Sequence, residues 1–521
     1  MNIPSIFNDV IGPVMRGPSS SHSAAAVRIG QIGRELMGGT PQTVQAHFDL
    51  GGSLPTTYLS QGSDMGLSAG LLGFPPDDAR LVDYRNELRK AHLVLQYFTG
   101  HYQDPHPNTY NLTLQKDGEE HRLIALSTGG GIIEVIKIDD LAVSFFGDCF
   151  GLVIWTRGAQ PPLIDLLNRR LAQSTVTGSE GSLIIFVTSS KPFADELINL
   201  IHADPTVQAV RRLSPVLPVL TPPQMTLPFT NGAELKRFAT ATGSTDLADL
   251  ALAYESARGA CEHADIMAMA SGLVTLMENS IKSGLAGTAF NDRILDAQSG
   301  KYVTSSRQGK LLNLGVLDTA IPNVAALMEV KSSMGVIVAA PTAGSCGALP
   351  GTLIAVADAN GLGLEERARG LLAAGIIGVL VATASTFSAE VCGCQAECGV
   401  ASGMLAAALV SMQGGSYHTC LTAASLALQN IFGMVCDPVA NRVEVPCLGK
   451  NILAAANGIS AANLALSGFN PVIPFDEVIA AMDQVGRSLP HELRCTALGG
   501  LSITPASKRI TDELRSHLHF A

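Results

Sequence analysis

The spacing of apolar residues changes character three times along the chain. Up to about residue 145, VQAHFDLGGS and HRLIALSTGGGIIEVIKI are rich in β-branched residues and break at glycines, as strands do. Between them in type, SHSAAAVRIGQIGRELMGG carries helical spacing and stops at Gly38 and Gly39. From about 150 to 213 the alternation tightens: GLVIWT, SLIIFVT and VQAVRRL read as strands, PPLIDLLNRRLAQ and PFADELINLIHA as helices. That order suits a small ferredoxin-like βαββαβ unit. Residues 214–232, SPVLPVLTPPQMTLPFTNG, hold five prolines and read as an extended linker. Beyond Asn231 nearly every periodic segment is helical, among them ADIMAMASGLVTLMENSIKSG, ASGMLAAALVSMQGG, LTAASLALQNIFG and FDEVIAAMDQVGRSLP, the last with an Asp in cap position. The expected architecture is an α/β domain over 1–148, an ACT-like α+β insert over 149–213, a linker over 214–232 and a large all-α domain over 233–521.

Composition sharpens this picture at one point. Gly370 to Ala389 carries no charge over twenty residues, long enough to cross a bilayer. It holds glycines and hydroxyl residues, follows EERAR and lacks an aromatic belt, so it is expected to be a buried core helix. A mean hydropathy of +0.27 then reflects alanine and glycine packed inside a helical domain. With 521 residues, 47% of them hydrophobic, the chain can bury more than one core. A net charge of −11 without a dense Lys/Arg tract argues against a nucleic-acid partner. Ten cysteines in so long a chain, behind an N-terminus MNIPSIFNDV with no basic or apolar leader, lead us to expect a cytoplasmic protein with reduced thiols.

The cysteines are unevenly placed. Eight of the ten follow residue 340: Cys346, Cys392, Cys394, Cys398, Cys420, Cys436, Cys447 and Cys495. Cys420, in an alanine-rich helix, reads as a small buried hydrophobe. Cys394 in a GCQ turn, Cys436 in VCDP and Cys447 in VPCLGKN instead lie where irregular backbone can aim thiolates at one point. Their spacing matches neither paired zinc knuckles nor ferredoxin runs, which leaves zinc and an iron-sulfur cluster both open. Near the N-terminus, GPSSSHS leads into a helix and offers hydroxyls and amides for a carboxylate through Ser19, Ser20 and Ser21. His22 in that loop and His106 in HPNT are candidate proton carriers, although a histidine in a turn is more often a structural hydrogen-bonding group.

GPVMRGPSSSHSAAAVRIG, HPNT, STGGG, APTAGSCGALPGT, GCQAECGVASGM and VCDPVANRVEVPCLGKN together resemble, in order and over nearly the whole chain, the iron-sulfur-dependent L-serine dehydratases. The resemblance implies a β domain, a regulatory-type insert and an α domain fused in one polypeptide. It implies a [4Fe-4S] cluster held by Cys394, Cys436 and Cys447, with Cys346 and Cys398 as neighbours, and conversion of L-serine to pyruvate and ammonia. Three thiolates leave one iron open as a Lewis acid for the β-hydroxyl. His22 and His106 become the expected catalytic residues, and Ser19, Ser20, Ser21, Ser53, Thr56 and Asn108 the expected substrate contacts. The partner is a small amino acid, and a homodimer is expected, without nucleic acid or membrane.

The chain also departs from the pattern. Gln61 stands where relatives carry a histidine favoured as the base, TASTFS at 383–388 replaces an NASISG-like run, and Cys495 replaces an acidic residue. These changes admit an offshoot acting on another β-substituted acid, or an amino-acid sensor reading ligand through residues 150–213. A pyridoxal phosphate lyase would run the same reaction, but leaves the cysteines without a role; Lys331 and Lys450 read as surface or helix-end residues rather than Schiff-base lysines.

Overall fold

The structure, a computed structural model, describes residues 3–157, 161–170, 175–177, 183–222 and 224–518. Its first part is built on a six-stranded sheet of β2 (Thr43–Asp49), β3 (Val94–Gly100), β4 (Thr109–Lys116), β5 (Glu119–Gly129), β6 (Ile132–Ile138) and β7 (Leu141–Phe145), in the order β3-β2-β4-β5-β6-β7. Only β2 and β3 run parallel. Strict alternation along β2 buries Val44, Ala46 and Phe48 against Ile29, Ile32 and Leu67 of two helices, Ala25–Leu36 and Ser63–Leu72. These helices touch backbone to backbone: a Cβ on Gly70 would stand 2.0 Å from the carbonyl oxygen of Val27, so only glycine fits there.

The second part has the expected ferredoxin-like topology. Its strands β8 (Phe150–Thr156), β9 (Thr175–Thr177), β10 (Ile184–Ser189) and β11 (Val207–Leu213) form an antiparallel sheet in the order β11-β8-β10-β9. Helices Pro161–Arg170 and Asp195–His202 cover one face, packing on Ile154, Ile185 and Val187; the final LAQ of the first predicted helix lies outside the described residues. The other face, with Val153, Trp155, Phe186 and Leu213, joins the core of the first sheet. Trp155 packs against His121 with ring centroids 4.4 Å apart and tilted, and donates from Nε1 to Asp139 Oδ2 at 2.8 Å.

The proline-rich segment forms no helix or strand among its described residues, yet it is not loose. Leu217, Val219 and Phe229 are buried, and Val219 exchanges two backbone hydrogen bonds with the side chain of Asn8.

The remainder is helical. Leu364–Ala384 and Cys398–Met412 lie at its centre, and the stretch from Gly370 to Val381 is buried in the core, as its glycine-rich, belt-free sequence predicts. The turn Ile6–Val10 docks on Leu364–Ala384, so the chain's first described residues belong to the helical core rather than to the sheet that follows them. The pairing of β1 (Val14–Met15) with β12 (Ile337–Val338) ties the two parts again. One cap differs from expectation. Asp476 does not cap its own helix, Phe475–Ser488, which starts after Pro474; it accepts from Gly232 N at 2.8 Å and Ala233 N at 3.0 Å and so caps the helix Gly232–Thr242.

Candidate active site at the domain interface

The serine-rich loop forms a wide helical turn, Ser20–Ala24, that runs directly into the helix Ala25–Leu36, and every residue of the turn is buried. His22 is 0% exposed. Its Nε2 lies 2.8 Å from Thr57 Oγ1, and its Nδ1 lies 3.0 Å from Ser19 Oγ. Thr57 donates its one hydroxyl proton to the Ser53 carbonyl at 2.8 Å. It therefore accepts from His22, which puts the ring proton on Nε2 and leaves the basic lone pair on Nδ1. That nitrogen faces Glu390 Oε1 at 4.0 Å across the interface.

His106 is built the other way. Its Nδ1 accepts from Asn108 N at 3.1 Å, so the neutral ring presents an Nε2–H donor. Burial lowers the pKa of both histidines, and Glu390 opposes that shift in each. Glu390 keeps a pKa below the ordinary carboxylate value against the effect of burial, through His22, the Ser388 hydroxyl donating at 2.7 Å, and Asn108 beside it. Asn108 is 0% exposed; its amide NH2 supports the Glu390 carboxylate, and its amide oxygen has no hydrogen-bond partner. A buried amide oxygen of this kind is what a bound polar ligand satisfies.

The other predicted contacts divide. Ser20 accepts from Ala343 N at 3.2 Å, Ser21 is buried with its carbonyl held by the Ser127 hydroxyl at 2.7 Å, and Ser53 is buried beside Thr57. Thr56 is exposed, and its hydroxyl turns back to the Ser53 carbonyl at 3.1 Å. On this turn of helix the inward position belongs to Thr57, one residue later.

The thiols gather on the helical side of the same interface. Gly393 at φ +71° turns the chain into Cys394, and a Cβ there would meet Leu489 Cδ1 at 2.6 Å and Met434 O at 2.8 Å. Cys447 opens the helix Cys447–Leu466, while Cys436 sits in an extended segment that donates to Leu493 O and accepts from Cys495 N, both at 2.9 Å. The neighbouring Cys398 thiol brings the Cys394 pKa down to about 7 against the effect of burial, with Lys450 assisting. The nearby Cys495 thiol and burial raise the Cys436 pKa, and Cys394 acts electrostatically on both Cys436 and Cys447. Cys346 turns instead to Met328 Sδ at 3.8 Å, Cys392 to Asp483, and Cys420 lies in the main helical core.

Among the described residues no three His, Cys, Asp or Glu side chains close on one point as a single metal ion requires. A polynuclear cluster holds its ligand sulfurs apart around its own core, and thiolates are the donors that suit it. Cys394, Cys436 and Cys447 are buried thiols from three separate segments, with Cys394 near enough to the other two to act on them electrostatically, and their chemistry suits such a group.

Two lysines hold this locality: both stand at helix ends, as expected, but neither is a surface group. Lys331 is 0% exposed and donates to the Val443 carbonyl. Lys450 donates to Val435 O at 2.6 Å and to Asp437 Oδ1 at 3.0 Å, clamping the segment around Cys436. Neither was marked by a recognisable motif, because each is defined by carbonyls that only the folded chain supplies. Glu390 escaped the sequence reading for the same reason.

Contacts between the two halves complete the site. Ser53 Oγ reaches the Cys495 carbonyl at 3.5 Å, Gln61 Nε2 reaches Cys495 Sγ at 3.6 Å, and Asn441 donates to Thr56 O at 2.7 Å. Gln61 and Cys495, the two departures noted in the sequence, thus stand together.

The chain is similar to proteins of one described family. The family described as serine dehydratase alpha chain matches residues 233–502. The "Probable L-serine dehydratase, alpha chain" of Bacillus subtilis is 40% identical over 250 residues, 48% of this chain and 83% of that protein. The alpha chain of the L-serine dehydratase of Peptoniphilus asaccharolyticus is 36% identical over 263 residues, 50% of this chain and 90% of that one. An L-serine dehydratase of Haemophilus influenzae aligns over 500 residues, 94% of this chain and 96% of its own length, at 25% identity. The chain belongs to the serine dehydratase alpha chain family.

Proposed function

We propose that this protein is an L-serine dehydratase that uses a [4Fe-4S] cluster held by Cys394, Cys436 and Cys447 and releases pyruvate and ammonia. The reading is supported chiefly by one juxtaposition: the basic nitrogen of a fully buried histidine faces Glu390 across the interface, and Glu390 lies four residues before Cys394, the thiol that acts electrostatically on Cys436 and Cys447. When bound, the cluster supplies a Lewis-acid iron that makes the β-hydroxyl a better leaving group.

The chain's own groups do the rest. The substrate carboxylate is received by the Ser19–Ser21 loop and its amides, and the Asn108 amide fixes its orientation. His22 Nδ1 takes the α-proton, the C–H electron pair becomes the new double bond, and the hydroxyl leaves with its own pair to form water with that proton. The aminoacrylate so formed hydrolyses to pyruvate and ammonia. His106 offers its Nε2–H as a donor rather than a second base.

Anaerobic reconstitution of the full chain tests this. Iron and sulfide near four each, a broad brown absorbance bleached by air, and pyruvate from L-serine are expected; His22→Asn keeps the absorbance and lowers kcat by at least about 100-fold. Gln61 against Cys495 favours a second reading, an offshoot acting on another β-substituted amino or hydroxy acid. It is adopted if the loaded protein leaves L-serine untouched and turns over such an analogue.

A further inference from the structure

We infer that Glu390 is the positioning residue of the proton-accepting unit: it faces Nδ1 of His22 from the helical domain and balances the imidazolium formed when that nitrogen takes a proton. The inference rests on the dehydratase reading and deepens it.

Three observations point this way. First, the Thr57 hydroxyl fixes which nitrogen is basic, and it is the one turned to Glu390 at 4.0 Å. Second, Glu390 does not hydrogen-bond the ring. It is held by the Ser388 hydroxyl at 2.7 Å, so its carboxylate is anchored without consuming the lone pair that the reaction needs. Third, groups beside the pair keep hydrogen-bonding capacity in reserve. Ser19 on Nδ1 is only half-buried, and its hydroxyl can rotate away, while Asn108, which supports Glu390, is buried with no partner on its amide oxygen. A purely structural ion pair would close its hydrogen bond to the ring.

Burial alone holds His22 neutral, which keeps the base free but penalises the cation made on proton transfer. A fixed carboxylate at this distance favours the cation and leaves the neutral ring untouched, so it acts as the proton moves. The other titratable groups bearing on Glu390 are His106 and Tyr110 from the first sheet and Glu397 from the helical side. None of these is in contact with His22 Nδ1 among the hydrogen bonds and ion pairs of the described residues.

The test uses the full chain in two forms. In the metal-free protein, labelled histidine Cε1 resonances are followed against pH, with His22 assigned by its loss in His22→Asn. Glu390→Gln is expected to move the His22 titration to lower pH, and Glu390→Asp to restore most of it. In the loaded enzyme, Glu390→Gln should lower kcat about 100-fold with KM changed less than about threefold, and shift the acid limb of the kcat profile in the same direction. An unchanged His22 titration, or a loss of kcat with an unmoved pH profile, overturns the inference. Absence of pyruvate from L-serine with the wild-type chain overturns the function reading instead, and the resonance shift still decides the pairing.

Discussion

Gly393 shows how narrowly single residues define this site. It combines φ +71° with less than van der Waals room on two sides, immediately before Cys394. Gly393→Ala is expected to cost about 2–3 kcal/mol and to lower iron and sulfide content, read by denaturant midpoint and metal analysis. Cys394→Ser, Cys436→Ser and Cys447→Ser should each abolish the visible absorbance, whereas Cys420→Ala, remote in the helical core, should retain it. Retention in any of the first three variants would remove that cysteine from the ligand set. At this scale the motif around His22 and Cys394 drew attention to two buried groups, whereas helical phase, which the sequence did not resolve, turns Thr57 rather than Thr56 inward.

Whole elements are joined by a few polar clasps. Asn451 Oδ1 accepts from Gly347 N at 3.1 Å and Ala348 N at 3.0 Å, and its Nδ2 donates to Gly344 O at 2.8 Å and Cys447 O at 2.9 Å. One side chain thereby locks the start of the helix Ala348–Ala359 to the helix that opens on Cys447. Asn451→Ala leaves these buried groups unpaired and should cost about 3 kcal/mol, seen as a lowered urea midpoint with an unchanged slope. A loss below about 0.5 kcal/mol would mean the clasp is replaced by water. Strands and helices were legible from their period because each buries a face or is buried all round. The wandering cap of Asp476 was not, since the recipient amides belong to a helix far away in sequence.

At the scale of the molecule, the N-terminal turn, the proline-rich segment and the helical core meet at a buried charged junction. Glu255 accepts from Ile6 N at 2.8 Å and from the Ser5 hydroxyl, and Arg258 reaches Asp148 Oδ2 at 3.2 Å and the Ile3 carbonyl at 3.0 Å. Burial raises the Glu255 pKa from 4.5 to about 7 and that of Asp9 from 3.8 to about 6. Folded values above the unfolded ones mean stability fully present below about pH 4 from these two groups and lost as pH rises through 6 to 7. The thermal midpoint should therefore fall between pH 5 and pH 8, and Glu255→Gln should flatten that slope. A midpoint that rises over the same interval would contradict the assignment.

The sequence by itself determined the three kinds of architecture and the inward course of the glycine-rich helix, because local period and composition already encode burial; the cysteines worth following came from the family resemblance. It also marked Gln61 and Cys495 as unusual without relating them. Only the tertiary structure set those two side chains against each other, turned Thr57 rather than Thr56 toward His22, and brought Glu390, Lys331 and Lys450 into the site. The reason is physical: a donor or charge acquires its role from partners across the interface, and those partners are distant along the chain.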